Sequence, residues 1–107
     1  MSFARTPEPP YYVVIFTSVL SEDDPEGYGD MAKEMEDLVK DQPGFLGLES
    51  SRTEIGITLS YWESLEAIRN WKSHLRHQEA QSQGKTTWYS SYQVRIAKVE
   101  RDYGFNL

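Results

Sequence analysis

The 107-residue sequence contains no cysteine. Disulfide bonds, zinc–thiolate sites, iron–sulfur clusters and cysteine nucleophiles are therefore excluded. Small secreted domains often depend on disulfides, so their absence favours a reducing compartment, and we expect a cytoplasmic protein. Residues 1–5 lead into a proline-rich stretch without the apolar segment that a secretory signal requires.

Positive charge is also scarce. Eleven Lys and Arg residues are scattered among 17 Asp and Glu residues, which gives a net charge of -6. Nucleic acids and anionic membrane surfaces attract basic faces, so neither is expected as a partner. The longest apolar run, residues 11–16, is far too short to cross a bilayer.

Several motifs of cofactor and hydrolase chemistry are missing from the sequence. It has no phosphate-cradling glycine loop, no dinucleotide fingerprint and no G-x-S-x-G turn. The acidic residues of segment 22–26 lack the spacing of a calcium-binding EF-hand. We therefore expect neither a cofactor nor a bound metal.

Regular apolar spacing predicts six secondary-structure elements. Residues 11–20 form a strand that is apolar on both alternating sets, which is typical of a strand covered on both faces. Residues 21–29 are expected to form a polar loop, after which Asp30 would cap a helix that ends at Pro43. The apolar stripe of this helix comprises Met31, Met35, Leu38 and Val39.

The second half of the chain predicts a hairpin, a helix and a last strand. Strands 45–52 and 55–62 are separated by a short turn, as in an antiparallel hairpin. Ser64 can cap the second helix, which runs to about Gln81. Its apolar stripe comprises Leu65, Ile68, Trp71 and Leu75. Segment 88–99 forms the last strand.

This β-α-β-β-α-β order predicts a ferredoxin-like α+β fold, with one antiparallel sheet and two helices on one of its faces. Because the first strand is apolar on both faces, the second face also needs a cover, and a second copy of the chain would provide it. We therefore expect a homodimer. The domain would span 11–100, between an extended arm at 1–10 and a tail at 101–107. The arm is either a free leader or a segment laid over the partner.

Residues 56–72, which run from Gly56 to Lys72 and contain two tryptophans, carry a family resemblance together with Pro43-Gly44-Phe45 and Trp88-Tyr89. Over roughly residues 11–100 the chain resembles the antibiotic biosynthesis monooxygenase superfamily. That resemblance implies a dimeric α/β barrel with a pocket between sheet and helices. Family members include cofactor-independent oxygenases of phenols and quinols, and also haem-degrading enzymes.

The resemblance extends to some site residues and not to others. Trp71 matches the helix tryptophan that borders the pocket in this family. Haem-degrading members have a ligand histidine where this chain has Gln81, and an asparagine where it has Thr17 and Ser18. These departures weigh against haem degradation. His77 occupies a place that some cofactor-free oxygenases fill with a polar aromatic residue.

A polar stripe accompanies Trp71 on the second helix. Its members recur at i, i+4, i+7 and i+11, and are Asn70, His74, His77 and Gln81. The stripe is either a solvated helix face, a pocket wall or, for its two histidines, a metal pair. In the pocket interpretation His77 is the catalytic base. The residues expected to bind the substrate are Trp71, Asn70, His74, Tyr61 and Gln81.

The sequence thus predicts a cofactor-independent monooxygenase for a small aromatic or quinol-like molecule. The alternative is a non-catalytic or stress-related dimer that binds a small apolar ligand in the same pocket. Haem degradation is the less favoured third interpretation.

Overall fold

A computed structural model describes residues 3–21, 25–81 and 89–106, without the side chains of 25–28 and 76–81. It confirms the predicted order of elements. They are β1 (Tyr11–Leu20), α1 (Pro25–Val39), β2 (Phe45–Arg52), β3 (Gly56–Trp62), α2 (Leu65–Gln81) and β4 (Tyr89–Val99).

The four strands form one antiparallel sheet in the order β2-β3-β1-β4. The strand β1 is therefore bonded on both sides, with Tyr12 opposite Trp62 on β3 and opposite Lys98 on β4. Both helices contribute to a core around Trp62, so they cover the same face of the sheet. This is the expected ferredoxin-like α+β fold.

The core is centred on Trp62, whose side chain is fully buried. It packs with Val39 of α1 and with Ala67 and Ile68 of α2. The predicted stripe of α2 is wrong at its first position, because Leu65 is exposed. Leu65 is the first helical residue, and the helix turns Ala67 rather than Leu65 toward the core.

Helix α1 begins earlier than the sequence predicts. The structure places its start at Pro25, so Asp30 lies inside the helix and the prediction that it caps the helix is wrong. Proline suits the first helical position because its fixed φ is helical and its missing N–H would have no partner there. Gly29, interpreted as a loop residue, is also accommodated within the helix.

The tight turn before β2 lies against the start of α2. Gly44 has a φ of 84°, and a Cβ built there would lie 2.6 Å from the Cβ of Ala67. Its carbonyl oxygen accepts a hydrogen bond from the backbone N–H of Glu63 at 2.9 Å. The missing side chain of Gly44 thus permits both the left-handed turn and the close approach of α2.

We call the face of the sheet without helices the open face. Strand alternation places Tyr61 there, and its hydroxyl donates to the Glu49 carboxylate at 2.7 Å. The other oxygen of that carboxylate accepts from the backbone N–H of Ala4 at 2.9 Å. The arm therefore lies across the open face of its own chain. Within the described part of the chain, no helix is both long and apolar enough to cross a membrane.

Candidate functional site

Three rings stack where α2 meets the sheet. The centroids of Trp62 and Trp71 lie 6.2 Å apart with an interplanar angle of 29°. Those of Trp71 and His74 lie 5.7 Å apart at 20°. The stack leads from the fully buried core outward to half-buried rings, so Trp71 and His74 form its accessible end.

His74 has a polar atom that the fold leaves unpaired. Its Nε2 is buried and forms no hydrogen bond to any of the described residues. A buried polar atom without a partner carries a desolvation cost, and a ligand that supplies the missing hydrogen bond would remove that cost. The nitrogen of a neutral imidazole that carries no hydrogen is an acceptor. The atom is therefore suited to accept a proton from a bound acid.

Local sequence features fix the orientation of this stack. The Ser64 hydroxyl accepts a hydrogen bond from the backbone N–H of Ala67 at 3.0 Å and so caps the start of α2, as the sequence predicts. The indole N–H of Trp62 donates to the Ser60 hydroxyl at 2.9 Å. The first bond fixes the start of α2, and the second fixes the ring of Trp62. Trp71 and His74 are both on α2, so the helix sets their relative position.

A second aromatic group lies on the helix-bearing face of the sheet, along β1 and β4. Phe16 and Tyr92 stack with centroids 5.4 Å apart, and Tyr89 meets Phe16 edge-on at 5.2 Å. Val94 and Ile96 continue the same alternating set and are exposed, as is Tyr92. We call these five residues the β4 shelf. It is an apolar surface that the helices leave uncovered.

The predicted site residues fall into three groups. Trp71 and His74 come together as described. Asn70 is exposed on the surface of α2. Tyr61 lies on the open face, across the sheet from Trp71, where it contacts Tyr11 edge-on at 5.9 Å. The backbone of α2 continues through His77 and Gln81, but their side chains lie outside the described part, as does the whole of Trp88.

The end of β1 carries a contact that sequence reasoning did not find. Ser18 is buried on the helix-bearing face, and its hydroxyl accepts a hydrogen bond from Nη2 of Arg52 at 2.5 Å. The space for Arg52 exists because Gly56 has no Cβ, which would lie 2.1 Å from the guanidinium carbon. Gly56 was the available signal in the sequence, because a glycine in a strand often marks a close approach of another group. The Ser18 hydroxyl is thus engaged in the fold.

Two tyrosines on the open face have a raised pKa. Burial and the hydrogen bond to Glu49 raise the pKa of Tyr61 to about 12. Burial also raises the pKa of Tyr11, whose hydroxyl hydrogen-bonds to the Asp102 carboxylate. Both phenols hydrogen-bond to carboxylates of other segments, which gives them a structural role. Among the described residues, no three acidic or histidine side chains come together as metal ligands.

Surface depressions on α1, beside Asp30 and Asp37, and at the end of β4, beside Glu100, lie away from the ring stack. We therefore define the candidate site by the ring stack and not by a surface depression. The chain is thus a small ferredoxin-like α+β domain in which aromatic rings and a histidine meet between helix and sheet.

The family follows from comparison with known proteins. The model of the antibiotic biosynthesis monooxygenase family matches residues 10–83, and this chain belongs to that family. It is also 56% identical over 100 residues to the uncharacterized protein YqjZ of Bacillus subtilis, a match that covers 92% of this chain and 87% of YqjZ.

Solved structures share the fold at low sequence identity. The heme-degrader MhuD of Mycobacterium tuberculosis, with two hemes bound in its active site, aligns with a TM-score of 0.69 and 20% identity, over 87% of this chain and 99% of MhuD. The protein PA3566 of Pseudomonas aeruginosa aligns with a TM-score of 0.65 and 13% identity, over 92% of this chain and 100% of PA3566. At these identities the similarity establishes the fold alone.

Proposed function

We propose that this protein is a cofactor-independent monooxygenase of small aromatic, quinol-like molecules, with His74 as its base. One observation carries the proposal: the Nε2 of His74 is buried against Trp71 and has no partner among the described residues. This assignment moves the base from His77, which the sequence favours, to the histidine whose surroundings the structure describes.

The reaction needs only a proton acceptor and a dry aromatic site. An anthrone loses a ring CH₂ proton to Nε2, and the resulting anion donates electrons to O₂. One oxygen atom becomes a new ring carbonyl and the other leaves as water, so anthrone and O₂ give anthraquinone and water. The substrate supplies all the electrons. The protein contributes the base and stabilises the anion in a site that excludes water.

The aromatic surfaces of the site fit a flat, neutral substrate. In this proposal a polycyclic phenol lies with one edge at the Trp71 and His74 rings, over the apolar β4 shelf. Flat rings pack favourably in offset-stacked and edge-on arrangements, as the site's own rings do. Asn70 and the side chains of His77 and Gln81 stay candidates for polar contacts at the rim.

We also propose that two copies pair through their open faces in the cytoplasm. The support is the apolar character of that face, on which Val13 is buried while Val19 and Ile57 are exposed. An open sheet face of this kind needs a cover, and the helices of the chain lie on the opposite side.

Haem binding is the second candidate function, because an unpartnered imidazole nitrogen is a common axial ligand of haem iron. Among the described residues, Nε2 of His74 supports it. The family position of the ligand histidine holds Gln81, which weighs against it. Non-catalytic binding of an apolar molecule at the same rings is the third. A Soret shift on adding haem distinguishes the second candidate from the other two.

Oxygen uptake with a panel of hydroquinones and anthrones tests the proposal. We compare the wild type with His74→Ala and His77→Ala, and use Lys72→Ala, an exposed change on the same helix, as the matched control. We expect His74→Ala to lower turnover by about 10²–10⁴-fold, the usual contribution of a general base. His77→Ala and Lys72→Ala should retain turnover.

Two other results would reassign the function. A loss confined to His77→Ala returns the role of base to His77. No uptake by the wild type across the panel, together with tight binding of an anthrone measured by tryptophan fluorescence, replaces the oxygenase by a binding protein. Circular dichroism of each variant establishes that a loss of turnover is not a loss of fold.

A further inference from the structure

Three aromatic side chains project from the irregular segments at both ends of the domain. Phe3 is 86% exposed in the arm, while Tyr103 and Phe105 are 96% and 84% exposed in the tail. We call them the arm–tail aromatics. Single exposed apolar residues are ordinary on protein surfaces. These three, however, flank the contact between arm and tail, where the Thr6 hydroxyl donates to the Asp102 carboxylate at 3.4 Å.

Both segments are anchored on the open face, at the same end of the sheet. The arm is fixed by the hydrogen bond from Ala4 to Glu49, and Gly47 leaves room for it, since a Cβ at Gly47 would lie 2.7 Å from the Cβ of Ala4. The tail is fixed by the hydrogen bond between the Tyr11 hydroxyl and Asp102. Each exposed ring thus lies within three residues of Ala4 or Asp102, the two anchored residues.

Tyr61 on β3 links the two anchors, which are Glu49 on β2 and Tyr11 on β1. The rings of Tyr11 on β1 and Tyr61 on β3 are in contact, and Tyr61 donates to the same Glu49 carboxylate that holds the arm. Thr6 of the arm also donates to the Tyr11 hydroxyl, at 3.1 Å. One connected group of contacts therefore holds arm and tail side by side, with their aromatic rings directed to solvent.

We propose that the arm–tail aromatics clamp onto the open face of a second copy of this chain. The inference rests on the proposed pairing of open faces and adds the residues that hold the pair. Aromatic side chains bury roughly 150–250 Å² each, so three of them bury about 450–750 Å² per copy. That area is close to the roughly 800 Å² per partner of a stable interface before the sheet itself contributes.

The occupant is a second copy because the chain already carries both halves of the contact. The open face offers apolar side chains, including Ile57, which is 45% exposed, and the arm and tail on that face offer the rings that would cover it. A two-fold axis brings each set of rings onto the other copy's face in one closed, isologous pair. Anchoring at Ala4 and Asp102 lowers the entropy lost when the rings pack.

Engineered thiols test the clamp directly, because the chain has no cysteine of its own. We compare the reaction of Phe105→Cys and Leu65→Cys with Ellman's reagent across a dilution series. Leu65 is exposed on the helix layer and is the matched control. We expect the thiol at position 105 to react at least about tenfold more slowly at concentrations where the copies are paired, and the thiol at 65 to react equally fast throughout.

Analytical ultracentrifugation separates the clamp from the pairing itself. Replacement of Phe3, Tyr103 and Phe105 together by alanine should raise the dissociation constant of the dimer by about 30-fold or more, as loss of one hot-spot aromatic does. Leu65→Ala should leave that constant unchanged. A triple variant that dimerises as tightly as the wild type overturns the clamp, even if Ile57→Asp abolishes pairing. A wild type that is monomeric throughout overturns both clamp and pairing, whatever the oxygen-uptake assay gives.

Discussion

The imidazole of His74 lies nearly parallel to the indole of Trp71, with their centroids 5.7 Å apart. The two residues are three apart on α2, so the helix itself sets the spacing of their rings. Trp71 in turn rests on the buried Trp62. A candidate base is thus oriented by a rigid element and by the core, which is how sites gain precise geometry.

Truncation of Trp71 should affect both binding and stability. Trp71→Ala removes the surface against which His74 packs, so we expect a loss of substrate turnover and a free energy of unfolding lower by about 3 kcal/mol, the lower end for truncated tryptophans because the ring is only half-buried. Trp71→Phe keeps an aromatic ring there and should retain most of both. Urea unfolding and oxygen uptake measure the two effects. Equal losses in both variants would contradict a stacking role.

Replacement of Gly44 should destabilise the fold at the turn before β2. Gly44→Ala places a Cβ 2.6 Å from that of Ala67 in a residue with a φ of 84°. We expect a loss of about 1–3 kcal/mol in the free energy of unfolding, from backbone strain and displacement of α2. Gly29→Ala is the control, because a Cβ there meets nothing within 4 Å, and it should stabilise α1 by about 0.5–1 kcal/mol. Thermal unfolding should therefore show a lower melting temperature for Gly44→Ala and a higher one for Gly29→Ala than for the wild type.

The raised pKa of Tyr61 predicts a loss of stability at alkaline pH. Burial, followed by the hydrogen bond to Glu49, raises this pKa from 10.0 to about 12. The folded state therefore favours the neutral phenol. That contribution is fully present below pH 10 and is lost as the pH rises toward about 12.

Urea unfolding of the wild type and Tyr61→Phe across this pH window provides the measurement. The wild type should lose more stability than the variant, since phenylalanine has no proton to release. The control is Tyr92→Phe, the same substitution at an exposed side chain of β4. Parallel profiles for the wild type and Tyr61→Phe would refute the assignment.

Removal of the cap of α2 should lower stability without changing the site's chemistry. The Ser64 hydroxyl satisfies the backbone N–H of Ala67, and Ser64→Ala leaves that donor without its side-chain partner. We expect the free energy of unfolding to fall by about 1 kcal/mol. Ser64→Asp should restore it, because a carboxylate caps equally well and also interacts favourably with the helix dipole. Chemical unfolding monitored by circular dichroism distinguishes the two variants.

The spacing of apolar residues predicted most of the fold, because side chains on one face of a strand or helix recur at a fixed period. The bounds of β1 and β2 match their predicted ranges, and α2 starts after its predicted cap. The start of α1 was missed because Pro25, Gly27 and Gly29 are typical loop residues. A proline at the first helical turn and glycines inside a helix are tolerated exceptions to that pattern.

The site was harder to predict for a geometric reason. His74 and His77 are three residues apart and point about 60° from each other around the helix, so both fit one polar stripe. In three dimensions His74 stacks on Trp71, whereas the side chain of His77 lies outside the described part of the chain. The arm is a similar case, because Ala4 meets Glu49 across 45 residues of sequence and no local signal marks such a pair.

The central position of β1 has a consequence for how the molecule opens. Backbone hydrogen bonds join this strand to β3 on one side and to β4 on the other. The helix layer, in contrast, is held mainly by the small apolar cluster around Trp62. We therefore expect amide hydrogens of β1 to exchange with solvent far more slowly than those of α1 and α2. Helices that detach from an intact sheet would uncover Trp62 and the core face on which Trp71 packs. Local unfolding of the helix layer would thus open the proposed site from its buried side.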